Sequence, residues 1–145
     1  MVARAVPRYA SGDATGEPAR KKQRRAKRAR VSPATLTTVL FKRGFRNVFL
    51  ALKPLASDAP RMVGPAYTLR TIPAREDLDV LDVFKDPAHP QRKGVEECPP
   101  GAVFVIDSRG DARAASAGGI LITRLKARGV AGAVTDGGFR DRPES

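Results

Sequence analysis

At 145 residues with 41% hydrophobic side chains, the chain is long enough for one globular domain with a real core. It has no run of eighteen apolar residues and no apolar leader, so membrane insertion and secretion are not expected, and a cytoplasmic setting is. A single cysteine, Cys98, excludes an intrachain disulfide and a cysteine-rich zinc site; it reads as a small semi-buried residue ahead of Pro99 and Pro100.

The net charge of +12 is unevenly placed, because residues 1–30 hold ten Lys or Arg against two acids and so carry +8. From Arg20 to Arg30 eight of eleven positions are cationic, with nothing more apolar than alanine. Such a segment has no face to bury, and residues 1–30 read as a disordered basic tail ahead of a domain at 31–145. The tail could bind RNA, an acidic membrane or an import receptor, or be dispensable. It has no aromatic side chain within the basic run to stack on bases, so nucleic-acid binding through it is expected to be weak.

The domain opens with Ser32 as a helix N-cap and Pro33 at the first helical position, and Gly44 is a natural stop. The helix predicted over 33–43 would pack through Leu36, Val39, Leu40 and Phe41. A short strand is expected from Phe45 to Leu52, a loop from Pro54 to Pro60, and a longer strand from Met62 to Ile72 with Gly64 and Pro65 at a bulge or edge. Residues 75–82 suggest a helical turn or covering segment, and the carboxylates there read as a solvated face. His89, the single histidine, lies between Pro87 and Pro90 and reads as a loop residue without a catalytic partner. Gln91 to Glu97 is a short helix candidate.

The most informative stretch follows. Ala102 to Ile106 is a strand-like apolar run, Gly118 to Gly129 a helix with Ile120, Leu121, Leu125 and Val130 toward a sheet, and Ala131 to Val134 a second strand. Strand, helix, strand makes a unit with parallel strands, whose loops open on one edge. The helix start presents the backbone amides of Gly118, Gly119, Ile120 and Leu121 to an anion. The Gly-rich turn after the second strand delivers Arg140, a planar donor fork for a carboxylate, carbonyl or enolate oxygen, beside Asp141, a hard oxygen ligand for Mg²⁺ or Mn²⁺. No nucleotide-binding glycine motif is present.

Gly118, Leu121 and the run from Thr135 through Gly137, Gly138 and Phe139 to Asp141, with Glu144 beyond, resemble the signature of the RraA-like family. Val31–Gly44, Arg61–Arg70 and Ile106–Asp111 resemble it as well. That family includes 4-hydroxy-4-methyl-2-oxoglutarate aldolases and regulators of ribonuclease activity. The resemblance implies an α/β chain with the layered β/β/α fold of swivelling domains, assembled as a homotrimer with sites between subunits. It implies a metal-dependent pyruvate aldolase or oxaloacetate decarboxylase acting on short 2-oxo-dicarboxylic acids through a pyruvate enolate. In that scheme Asp141 holds Mg²⁺ or Mn²⁺ directly or through water, Arg140 stabilises the enolate oxygen, and the amides of Gly118 to Leu121 hold the substrate carboxylate. The base is open between a metal-bound water and a group from a neighbouring subunit. The regulator branch implies the alternative, a non-catalytic protein that binds and inhibits a ribonuclease. One departure stands out: family enzymes often carry an acidic residue where this chain has Gly119. Family members also continue well beyond the signature, so the chain is expected to be a C-terminally incomplete version of the domain, with weak activity.

Overall fold

The computed structural model describes residues 2–4, 19–46, 52–55, 59–75, 77–113 and 115–141. Its larger sheet has the order β1-β2-β3-β5, built from β1 (Val2–Arg4), β2 (Ala66–Ile72), β3 (Val103–Asp107) and β5 (Gly132–Thr135). β2, β3 and β5 run parallel, with Tyr67 opposite Phe104 and Phe104 opposite Ala133, and β1 is antiparallel to β2. A second, two-stranded parallel sheet pairs β4 (Ala115–Ala117) with β6 (Gly138–Phe139). Four helices, α1 (Ala19–Ala29), α2 (Pro33–Lys42), α3 (Pro90–Glu97) and α4 (Gly119–Ala127), complete the α/β architecture with a 3₁₀ turn over Leu81–Lys85.

Period-two alternation decides which face of the sheet is inside. Tyr67, Leu69 and Thr71 from β2 and Phe104 and Ile106 from β3 are buried, and their neighbours in sequence are half-buried or exposed. On that face Val95 of α3 and Leu125 of α4 join the core with Cys98, Ala102, Ala117 and Val130. Gly94 lets α3 approach closely, since a Cβ there would already touch the Phe104 ring at 3.4 Å. The Tyr67 and Phe104 rings stack with centroids 5.8 Å apart. Burying side chains such as Phe104, Leu69 and Ile106 contributes roughly 1.5–3 kcal/mol each. Burial also pushes the Cys98 thiol up to about 11, which leaves it protonated and inert, and the residue is fully rather than partly buried.

The predicted strand-helix-strand unit is present. Gly129 ends α4 in a left-handed conformation (φ +74°), and β3 and β5 are adjacent. Within α4 the packing face differs by one residue: Leu125 is buried, Leu121 and Ile122 pack against the core, and Ile120 is 85% exposed. At 100° per residue Ile120 lies on the far side of the helix from Leu125, and Ile122 takes its place.

Other expectations are corrected. The segment Arg20–Arg30 read as disordered carries α1, because Ala, Arg, Lys and Gln are strong helix formers even without an apolar face. Val2–Arg4, in the same tail, adds a strand to the sheet. Ser32 does cap α2, accepting from the Thr35 amide at 3.2 Å, but Leu36, Val39, Leu40 and Phe41 are exposed rather than packed. The strand expected from Met62 begins at Ala66. The helical turn expected within 75–82 does form, the amides of Leu78 and Asp79 donating to the Arg75 carbonyl at 2.9 and 2.7 Å, and a 3₁₀ turn follows at Leu81–Lys85. The strand expected over Phe45–Leu52 lies mostly outside the described residues.

His89 does lie in the loop that leads into α3, but it is buried there. It is 4% exposed and caps α3, its Nδ1 accepting from the Gln91 amide at 3.3 Å. Its ring lies 4.9 Å from that of Phe84, and its Nε2 is buried with no hydrogen-bond partner among the described residues. Burial therefore pushes the imidazole below its ordinary pKa, against the opposing charges of Asp79 and Asp86.

Candidate active site

The site grows from the C-terminal ends of β3 and β5. Asp136, just past β5, reaches across to β3's loop and accepts from the amides of Ser108 at 2.6 Å and Gly110 at 2.8 Å. Beneath this clasp the Ser108 and Ser116 hydroxyls lie 2.6 Å apart, and those of Ser116 and Thr135 2.8 Å apart. Thr135 also accepts from the Gly137 amide at 3.0 Å. The hydroxyls of Ser108, Ser116 and Thr135 thus satisfy one another in a place where unpaired polar groups would be costly. They lock β3, β4 and β5 to the turn that follows.

That turn requires glycine for space. A Cβ on Gly137 would sit 2.7 Å from Ser108 Cβ and 2.7 Å from Ser116 Oγ. Gly138 and Phe139 then pair with β4, and the Arg140 amide donates to the Ala117 carbonyl at 3.0 Å. The arginine and aspartate are therefore held by the β4–β6 pairing on their N-terminal side.

Gly118 is the N-cap of α4, in extended conformation, and supplies no side-chain cap. Asp141 provides one from elsewhere in the chain: its Oδ2 accepts from the Gly119 amide at 3.2 Å. The same oxygen lies 3.7 Å from Arg140 Nε. A carboxylate at a helix N-terminus is favoured by the partial positive charge of the aligned peptides. Asp141 itself has φ +66°, a left-handed conformation that Asp tolerates better than most residues.

All six residues singled out from the sequence come together here, with different parts to play. Gly118 has no room to spare, since a Cβ would stand 3.1 Å from Asp141 Oδ2. Gly119 gives its amide to Asp141, so the amides still directed out of the helix start are those of Ile120 and Leu121. Arg140 and Asp141 are both exposed, with side chains 76% and 56% accessible. The sequence assigned no site role to Ser108, Ser116, Thr135 and Asp136, although Ser108, Thr135 and Asp136 lie within the family-like runs. The signal available was their position, at the ends of two strands expected to be neighbours or on the approach to the helix.

The RraA-like family model, described as Aldolase/RraA, matches residues 29–145. The chain belongs to the RraA-like family. A relative from Halalkalibacterium halodurans, described as "Putative 4-hydroxy-4-methyl-2-oxoglutarate aldolase", is 36% identical over 98 residues, covering 68% of this chain and 40% of the relative. The crystal structure of Streptomyces coelicolor RraAS2, an unusual member of the RNase ES inhibitor RraA protein family, is 36% identical with a TM-score of 0.60. That match covers 79% of this chain and 54% of the other. This RraA-like chain thus spans about half or less of the length of these two relatives.

No group of three or more His, Cys, Asp or Glu able to hold a metal occurs among the described residues of this RraA-like chain. One exposed carboxylate beside open space is compatible with Mg²⁺, which commonly takes one or two carboxylates and fills its remaining positions with water and substrate oxygens. Asp141 fits that role, and no second acidic residue joins it at Gly119.

Proposed function

We propose that this chain carries the site of a divalent-metal-dependent pyruvate aldolase and oxaloacetate decarboxylase, acting on short 2-oxo-dicarboxylic acids. The observation that supports this reading is the meeting of Arg140, Asp141 and the start of α4, with Asp141 Oδ2 3.2 Å from the Gly119 amide. Both reactions leave the same pyruvate enolate, so a single arrangement that stabilises negative charge on that oxygen serves both.

Asp141 would hold Mg²⁺ or Mn²⁺, which when bound supplies Lewis-acid polarisation of the 2-oxo acid. Arg140 presents its guanidinium to the enolate oxygen as charge develops there. The amides of Ile120 and Leu121, with the helix dipole behind them, bind and orient the substrate carboxylate. The proposal extends to a cytoplasmic homotrimer in which a neighbouring subunit completes the site.

A second reading, a protein that binds and inhibits a ribonuclease, is favoured by the likeness to the Streptomyces coelicolor protein. The two are separated by measuring pyruvate release from oxaloacetate with and without Mg²⁺ or Mn²⁺, alongside ribonuclease activity at increasing protein. Metal-dependent pyruvate release supports the lyase; ribonuclease inhibition with no pyruvate release supports the binding protein.

A further inference from the structure

The most strongly charged surface of the molecule lies far in sequence from this site. Between Glu17 and Asp58 there is no acidic residue, while twelve Lys and Arg occur. Seven of the twelve are on α1, an exposed helix with no buried residue and about 16 Å long.

α1 is not cationic at random. At 100° per residue Arg20, Lys21, Arg24, Lys27 and Arg28 fall within an arc of about 120°, while Ala19, Lys22, Gln23 and Ala26 lie on the other side. The body of the protein grips the helix away from that arc. Arg25 and Ala29 are the half-buried positions of the helix, Arg25 Nη1 donates to the Gly101 carbonyl at 3.5 Å, and Arg61 Nη1 donates to the carbonyls of Ala29 at 3.2 Å and Val31 at 3.4 Å. The five cations point away as a row, and none enters an ion pair among the described residues.

We infer that this outward face of α1 is a docking surface for the phosphate backbone of a nucleic-acid duplex, bound without sequence preference. A duplex offers one negative charge per ~1.7 Å of axis, so a rod of this length faces several phosphates at once. The helix has no aromatic residue to stack on splayed bases, which disfavours a single strand. It also has no Leu, Phe or Trp opposite its cations, as a helix lying in a membrane surface requires.

The test measures the full chain's binding to a labelled mixed-sequence duplex, a single strand, polyglutamate and phosphatidylserine vesicles, at 50 to 200 mM salt. The duplex should bind best, and its Kd should rise on the order of 10²- to 10³-fold across that range, as release of about five counterions requires. Replacing Arg20, Lys21, Arg24, Lys27 and Arg28 with Gln, a good helix former, should flatten the log–log salt slope by about four with helicity by circular dichroism retained. Exchanging Arg20, Arg24 and Arg28 for Lys should preserve binding, because phosphate contacts need charge rather than a fork. Equal or tighter binding to polyglutamate or vesicles would overturn the inference. So would a salt slope unmoved by the Gln substitutions.

Discussion

Asp141 pays for its position with a left-handed backbone, and that shapes how its role is tested. Alanine there would remove the carboxylate and also add a conformational cost of roughly 1–2 kcal/mol, confusing chemistry with folding. Asn tolerates the same conformation and keeps an oxygen for the Gly119 amide. Asp141→Asn should therefore fold and melt like the parent but lose metal-dependent turnover, while Arg140→Ala should lower turnover by on the order of 10²-fold. Thermal melts beside pyruvate-release rates check both. Gly119 invites the opposite experiment. A Cβ there would meet Asp141 only at 3.8 Å, an ordinary contact, so Gly119→Asp fits and sets a second carboxylate beside the first. Mn²⁺ affinity should rise on the order of 10-fold, read by paramagnetic resonance of free Mn²⁺. His89 gives a pH prediction. Its folded pKa is lowered by burial from an ordinary 6.5, so below about that pH the unfolded chain takes up the proton first. Stability present above 6.5 is lost as pH falls from there toward the folded value. His89→Asn, which keeps a cap on α3, should reduce that loss in denaturant titrations at pH 7 and pH 5.5.

Among the elements, those with a hydrophobic period were legible and those without were not. β3, α4 and β5 declare themselves through the Ala102–Ile106 run, the apolar positions of the helix and the left-handed stop at Gly129. β4 and β6, which hold the site, do not: Ala115–Ala117 and Gly138–Phe139 are short and built from small residues apart from Phe139. They become strands because the Ser108, Ser116 and Thr135 hydroxyls and the Asp136 clasp bring them together. Local propensity cannot show such a tertiary cause. α1 erred the other way, since the absence of an apolar face argued against packing but not against a helix. That Gly118 to Leu121 would open a helix and Arg140 and Asp141 follow a Gly-rich turn was legible because helix starts and Gly-rich turns have fixed backbone consequences. That Asp141 would occupy the Gly119 amide was not, because it depends on a contact across 22 positions of chain. Gly137→Ala tests the role of these small strands. With its Cβ 2.7 Å from Ser108 Cβ the turn must shift, costing roughly 1–3 kcal/mol in stability. A displacement of about 1 Å at Arg140 and Asp141 should then lower turnover by on the order of 100-fold. A melt lowered with turnover unchanged would show that the turn does not position the site.

For the molecule as a whole, the central claim is that a parallel sheet, a helix start and a Gly-rich turn converge to make one site for a metal and an oxo-acid. Arg140 and Asp141 alone could be an exposed ion pair of little energetic value. What distinguishes them is their meeting with the start of α4. A direct measurement is Mn²⁺ binding with and without oxalate, a planar dianion shaped like the pyruvate enolate, in the parent, Asp141→Asn and Arg140→Ala proteins. If the three parts form one site, oxalate tightens Mn²⁺ binding to the parent, Asp141→Asn loses the metal, and Arg140→Ala keeps the metal but loses most of the tightening by oxalate. Mn²⁺ binding that is the same in all three proteins and indifferent to oxalate would contradict the account.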